Sequence, residues 1–375
     1  MKETPPDYFH PAMSDFDAIW LPFTENGRVI IDRKTFQEEN YISHVAVGNV
    51  KVPDLKLCPP FAYGYSLSRK EWSRFYVQIL EPVPWKQNSF DSLVMKENQK
   101  ALLRALVTSH TFPENARDQM QQKSKGLVVL LHGSPGSGKT LTAECSAEIT
   151  KRPLFTASIA ELNKYDRPWY FEYQLQKVLQ FATIWKAVIL LDEADVFLEA
   201  RTDEGNDAVA RNALVAVFLR HLEYFSGIVF LTTNRIHVFD PAMKSRIHLA
   251  LGYSPPGNSM RRSMWVNSLK QLPPDDVDID FNNSNETVES IVQEKLNGRE
   301  ITNTINTART LARYENKPLR LHHIETVLGI RTEFDQTLKR MAIEAADPQR
   351  VGSIGPVRQG SLLASMNITN DPEEI

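Results

Sequence analysis

The chain reads as an α/β protein: a mostly parallel sheet with helices on both faces. Three observations carry this. Short apolar runs alternate with helical stretches from about 86 to 257. Those runs are apolar almost throughout, as strands buried on both sides must be. And a glycine-rich loop joins the first run to a helical stretch, the strand–loop–helix order of a phosphate-binding unit.

The strand candidates are 127–132, 154–158, 187–192, 228–233 and 247–251, with helices near 139–150, 171–185 and 207–224. Upstream, residues 1–85 make a small β-rich or irregular module, rich in proline and aromatics. It holds one strand, Arg28-Val29-Ile30-Ile31-Asp32, after a turn at Asn26-Gly27. Pro53, Pro59, Pro60, Pro82 and Pro84 break its later part into pieces, and alone it buries little core. The α/β core spans 86–257. Residues 258–345 carry only helix signals, split at Asn297-Gly298 and at Lys317-Pro318, and form a small helical domain. Residues 346–375, rich in Gly, Ser, Pro and Asp, read as a disordered tail.

Composition excludes several classes. Lys plus Arg is 43 and Asp plus Glu is 46, so the formal net charge of −3 argues against a surface built to grip nucleic acid. No apolar run approaches a membrane span, and Met1 to Asp7 lacks the apolar core of a secretory signal. Two cysteines, Cys58 and Cys145, support neither a disulfide framework nor a four-cysteine zinc site. The expectation is a reducing, cytoplasmic setting, in which Asn367-Ile368-Thr369 is no glycosylation site.

The chemistry starts at Gly133-Ser134-Pro135-Gly136-Ser137-Gly138-Lys139-Thr140, which fits the pattern G-x-x-x-x-G-K-[ST]. Glycines let backbone N–H groups curl around phosphate oxygens without Cβ clashes, and the following helix adds its positive end. Lys139 is placed for the β- and γ-phosphates of ATP and Thr140 for Mg²⁺; Leu141 completes the nucleotide-binding set. In Val188-Ile189-Leu190-Leu191-Asp192-Glu193 an apolar strand delivers two carboxylates at its C-terminal end. Asp192 is the second Mg²⁺ candidate. Glu193 is the candidate base for an attacking water, which points to hydrolysis rather than binding alone. Ile228-Val229-Phe230-Leu231-Thr232-Thr233-Asn234 ends in an amide able to bond both the γ-phosphate and that water, on the strand expected beside Asp192. Residues 192–195 spell Asp-Glu-Ala-Asp, but no downstream Ser-Ala-Thr motif, second helicase domain or basic excess supports a helicase.

With these motifs the chain resembles the AAA+ ATPases, most closely a fungal group of AAA-type ATPases, over about 20–345. The resemblance is loose at Asn26 to Phe36. It is more specific at Ser89-Phe90-Asp91-Ser92-Leu93-Val94, at Leu131-His132-Gly133, at Leu190 through Glu199, at Arg211-Asn212-Ala213-Leu214-Val215, at Thr232-Thr233-Asn234-Arg235, and from Phe239-Asp240-Pro241-Ala242 to Leu249. It implies a P-loop NTPase core of five parallel strands, a C-terminal helical lid, and a ring, usually of six subunits, with ATP at the subunit seam. Classical members place two arginines after Asp-Pro-Ala; Met243-Lys244-Ser245-Arg246 holds one. Arg246 is thus the candidate arginine finger, against a surface ion pair. Arg299, opening a lid helix, is the candidate γ-phosphate sensor, against a solvated helix residue. The resemblance also places the adenine pocket near Phe90 to Leu93. A substrate-gripping loop maps to Asn163 through Phe171, where Tyr165 or Trp169 could hold a polypeptide, although the usual aromatic–apolar–Gly order is absent and core packing is the alternative. His322-His323 and the two cysteines lack metal-ligand spacing, and Cys145 reads as a small buried residue.

The function expected is that of a Mg²⁺-dependent ATP hydrolase of the AAA+ class acting on a protein client. The alternatives are an ATP-gated scaffold with little turnover and a small-molecule kinase with the same phosphate loop.

Overall fold

The computed structural model describes residues 24–40, 59–112, 126–165, 167–195, 206–235, 241–279 and 286–345. Cys58 and the tail expected at 346–375 lie outside them. The chain divides into two compact units, residues 1–267 with 295–300, and 268–294 with 301–375.

In the first unit the central sheet comprises β4 (Leu127–Gly133), β5 (Leu154–Ser158), β6 (Val188–Asp192), β7 (Ile228–Thr233) and β8 (Leu249–Tyr253). The spatial order is β5-β6-β7-β4-β8, with every neighbouring pair parallel. Because all five strands run the same way, the loops leaving β4, β6 and β7 emerge together at one end of the sheet, where ligands of such sheets bind. The helices of this unit are α1 (Arg33–Glu39), α2 (Glu97–Ser109), α3 (Lys139–Ile149), α4 (Ile159–Leu162), α5 (Pro168–Ile184), α6 (Asn206–Tyr224) and α7 (Pro241–Lys244), followed by α8 (Asn258–Leu269).

Successive residues of each strand feed opposite cores, as the pleat requires. Val128, Leu130, Ile189, Leu191, Val229 and Leu231 pack with Leu175, Phe181 and Phe218 of α5 and α6. Leu127, Val129, Leu131, Val188, Leu190 and Phe230 pack with Leu103 and Val107 of α2 and Ala143 and Ala147 of α3. This two-sided burial explains the unbroken apolar runs. β8 begins two residues later than 247–251 suggests. The His248 N–H donates to Val128 O (2.9 Å), while its ring Nδ1 accepts the Val128 N–H (3.1 Å). A side chain thus takes one rung of the ladder before Leu249.

The N-terminal module contains an antiparallel sheet, β1 (Val29–Ile30), β2 (Phe61–Ser66) and β3 (Glu71–Tyr76), in the order β1-β2-β3. The β2–β3 hairpin escapes a sequence reading because its turn, Leu67 to Lys70, has neither Gly nor Asn; Lys70 takes the positive φ (59°). Tyr65 and Trp72 pack against Phe155, Phe181 and Trp185 of the neighbouring layers, with Tyr65–Phe181 and Phe181–Trp185 ring centroids 5.4 and 4.6 Å apart. Asp32 caps α1 through Thr35 N (3.1 Å) and accepts the Trp185 indole N–H (2.9 Å). The module therefore completes its core with residues of the α/β layers.

The second unit holds α9 (Glu286–Gln293), the remainder of α10 (Gly298–Tyr314) from Ile301, and α11 (Leu321–Ala345). Its buried residues include Val288, Ile291, Ile305, Ala308, Leu319 and Ile324. A bridge between Val277 and Leu319, and Arg309 and Arg313 on the Asp276 carboxylate, tie its segments together. No helix among the described residues is long and apolar enough to cross a membrane.

Candidate nucleotide site

β4 ends at Gly133, whose φ of 149° suits only glycine; a Cβ there would lie 2.4 Å from Tyr253 O. Gly136 (φ 73°) and Gly138 (φ 99°) carry the loop round into α3. Lys139, the first residue of α3, is buried (8% exposed). Its ammonium donates to Gly133 O (2.8 Å), Ser134 O (2.9 Å) and Asn234 Oδ1 (2.9 Å). Burial lowers its pKa; Asp192 and Asp195 work against that and Arg299 adds to it.

Two strands away in the sheet, β6 delivers Asp192 and Glu193, and β7 between them delivers Thr232, Thr233 and Asn234. The Thr232 hydroxyl donates to Asp192 Oδ1 and accepts the Glu193 N–H (3.1 Å). The Ala194 N–H donates to Thr232 O (2.8 Å). Thr233 Oγ1 bonds Asp195 and accepts the Arg235 N–H (2.9 Å). Glu193 stands at φ 57° with its side chain exposed, an unusual backbone for a residue with a Cβ.

Arg299 reaches the loop from a third direction. Its backbone N–H donates to Gly136 O (3.3 Å). Asn297 and Glu300 form a reciprocal capping box: Glu300 N donates to Asn297 Oδ1 (2.9 Å) and Asn297 N to Glu300 Oε2 (2.7 Å). A Cβ on Gly136 would lie 2.5 Å from Asn297 Oδ1, so the loop and this cap fit only while residue 136 is glycine.

The structure thus gathers the phosphate loop, Asp192, Glu193, Asn234 and Arg299. Arg246 has other partners. Its guanidinium donates to Ala242 O (2.9 Å) and to Glu223 Oε2 (3.4 Å), within the same unit. Phe90 is fully buried beneath Arg104, 5.0 Å from its ring, and Lys100 holds the Asp91 and Leu93 carbonyls (2.6 and 3.0 Å). Tyr165 and Trp169 are exposed (40% and 49%), whereas Phe171 is fully buried. Cys145 is buried, its thiol pushed up to about 11 by lost hydration. Sequence reasoning missed Thr232 and Asn297 as individual contributors; Asn297-Gly298-Arg299-Glu300 does carry the polar-x-x-Glu spacing of a cap.

The residues fit a bound polyphosphate. Three positive-φ glycines shape the loop that leads into Lys139, whose ammonium bonds Gly133 O, and Ser137 Oγ is buried with no hydrogen-bond partner among the described residues. Thr140 and Asp192 supply the oxygen donors that a hard divalent cation takes. A second donor cluster, Glu315, His322 and His323, brings its ligand atoms within 4.8 Å. His323 Nδ1 accepts the Arg320 N–H (3.0 Å), so its proton sits on Nε2, facing Glu315 (3.5 Å). His323 thus caps the start of α11 through Arg320 N, a bond that a metal on Nε2 would set against a proton on Nδ1.

Residues 129–253 match the family model described as "ATPase family associated with various cellular activities (AAA)". A putative 26S proteasome regulatory subunit homolog of Methanothermobacter marburgensis is 25% identical over 248 residues, 64% of this chain and 63% of that one. CD-NTase-associated protein 6 of Escherichia coli is 30% identical over 158 residues, 37% of this chain and 51% of that one. Cell division control protein 48 homolog B of Arabidopsis thaliana is 33% identical over 162 residues, 40% of this chain and 26% of that one. The chain thus spans less than two thirds of each of these relatives. Among solved structures, the FIGL-1 AAA domain aligns with a TM-score of 0.49 and 20% identity, covering 66% of this chain and 85% of that one. The similarity to AAA ATPases thus lies on residues 129–253, the segment that carries the phosphate loop, Asp192, Glu193 and Asn234.

Proposed function

We propose that the chain binds ATP at the phosphate loop and hydrolyses it to remodel a protein client, as a ring of identical subunits, six by the family's habit. The observation that carries this is the convergence of three strand ends on one spot. Lys139, at the start of α3 after the loop from β4, bonds Asn234, which follows β7, and Asp192 and Glu193 stand at the end of β6 alongside. A polyphosphate needs that cation, and an attacking water needs a carboxylate and an amide beside it.

In this reading the loop N–H groups and Ser137 Oγ take phosphate oxygens, and Lys139 exchanges its bonds to Gly133 O and Ser134 O for the β- and γ-phosphates. Glu193 takes a proton from the attacking water and Asn234 orients that water. Arg299 senses the γ-phosphate. Mg²⁺, held by Thr140 and Asp192, would neutralise charge on the phosphates. Arg246 acts on a neighbouring subunit's site after leaving Glu223. The exposed rings of Tyr165 and Trp169 could then touch a threaded polypeptide.

Phosphate release from ATP by the purified chain tests the core of this. Nucleotide binding without release establishes the scaffold instead, and transfer of the phosphoryl group to a metabolite establishes a kinase. Client capture by a Glu193→Gln variant, followed by mass spectrometry, tests the remodelling claim; a trap that holds no protein beyond background removes it.

A further inference from the structure

Thr232 is 1% exposed, at the C-terminal end of β7, and three consecutive residues of the acidic turn hang on it. Its hydroxyl proton goes to Asp192 Oδ1. The same oxygen accepts the Glu193 N–H (3.1 Å), and its carbonyl accepts the Ala194 N–H (2.8 Å). A hydroxyl has one proton and two lone pairs, so this assignment satisfies Thr232 as donor and acceptor at once. Glu193, in between, sits at φ 57°, where a side chain is disfavoured and surrounding bonds must hold the backbone. On the β7 side Leu191↔Leu231 is the last strand pair before Asp192 and Glu193 leave β6, so the Thr232 bonds hold the turn there, while on the β5 side Asp192 still pairs with Ser158.

We propose that Thr232 is a positioning residue for ATP hydrolysis. Its hydroxyl sets the orientation of the Asp192 carboxylate and pins the left-handed backbone that aims Glu193. This rests on the hydrolysis reading above and deepens it. Thr232 touches neither nucleotide nor water; it acts through Asp192 and Glu193. Two functional carboxylates are thus coupled through one hydroxyl, and its loss should disturb cation dependence and turnover together, not ATP capture by the loop.

The test compares Thr232→Val, which keeps the shape and β-branching but loses the hydroxyl, with Thr232→Ser, which keeps the hydroxyl. Each is measured for kcat and KM, for ADP affinity with EDTA and across a Mg²⁺ titration, and for melting temperature. Thr232→Val should lower kcat on the order of 10–100-fold, the usual cost of losing a partner that orients a metal-side carboxylate. Its ADP affinity in EDTA should match wild type, while the Mg²⁺ titration shifts to higher concentration. Thr232→Ser should restore both. If Thr232→Val does not melt cooperatively, Thr232→Ala carries the same measurements. Wild-type kcat and an unshifted Mg²⁺ titration in the hydroxyl-free variant overturn the proposal. So does a Thr232→Ser variant as impaired as Thr232→Val, since packing alone would then explain the loss. If the wild-type chain releases no phosphate, the hydrolysis reading fails by itself, and the Mg²⁺ shift of ADP affinity still decides whether Thr232 positions Asp192.

Discussion

Lys139 and Arg246 are two cations of the same unit, and the chain holds them in opposite ways. Lys139 is buried and fixed by three oxygens within 2.9 Å, all belonging to the ends of adjacent parallel strands. Its position follows from the sheet itself. Arg246 follows the short helix α7 and bonds one carbonyl of that helix and a half-exposed carboxylate 3.4 Å away. Its Nε is buried without a hydrogen-bond partner among the described residues. The difference teaches that one cation is assembled by folding, whereas the other is parked on an exchangeable partner. A role for Arg246 in a neighbouring site requires it to leave Glu223 for another subunit; a role for Lys139 requires only that it exchange loop carbonyls for phosphate oxygens where it stands.

The largest expected effect tests the assembled side. Lys139→Ala removes the buried cation that bonds Gly133 O, Ser134 O and Asn234 Oδ1, and should abolish measurable ATP binding in a titration; retained affinity would break the phosphate-loop assignment. Next, Glu193→Gln should bind ATP normally while turnover falls on the order of 10²–10⁴-fold. A variant as fast as wild type shows that Glu193 is not the base.

The parked side comes third. Arg246→Ala should leave ATP affinity intact and slow hydrolysis by about tenfold or more, because a finger acts on transition-state charge. It should also complement in trans. A Lys139→Ala subunit has a dead site and an intact Arg246; an Arg246→Ala subunit has the reverse. Mixing them should recover hydrolysis at seams where a sound arginine faces a sound site. Co-assembled mixtures, verified by size-exclusion chromatography, that stay inactive at every ratio would leave Arg246 as a cis ion pair with Glu223.

Glu223→Gln sharpens the comparison with a smaller effect. A partly exposed ion pair contributes about 0–1 kcal/mol, so the melting temperature should barely move. Hydrolysis should hold or rise, since the parking partner is lost. A drop in hydrolysis as large as that of Arg246→Ala would mean Glu223 orients the arginine for its task. The smallest effect concerns Cys145. Burial raises its thiol to about 11, so at pH 8 it stays protonated and unreactive toward alkylating reagents in a Cys58→Ser background. The sign for stability follows: the unfolded thiol ionises at lower pH than the folded one, so this contribution is lost as pH rises towards 11. Rapid alkylation at pH 8 would show that the helix after the phosphate loop opens readily.

The sequence by itself determined what periodicity and local spacing encode. The runs at 127–132 and 228–233 had to be buried strands, because five consecutive apolar residues at 127–131 and four at 228–231, rich in Val, Ile and Phe and each run preceded by a glycine, belong inside a sheet covered on both faces. The glycines had to stand where the loop turns at positive φ, and Lys139 had to begin a helix. The two carboxylates at 192–193 had to leave the end of a strand. What only the tertiary structure decided is which distant group meets which. The β2–β3 hairpin, with no glycine in its turn, formed because Tyr65 and Trp72 find Phe155, Phe181 and Trp185 across the chain. The strand order β5-β6-β7-β4-β8 put Thr232 beside Asp192 and Asn234 beside Lys139, pairings 40 and 95 residues apart. The partners of Arg246 and the closeness of Asn297 to Gly136 were set in the same way. Hydrogen bonds and ion pairs of this range carry no local pattern; they exist only once the buried sheet has fixed the distance between the groups that make them.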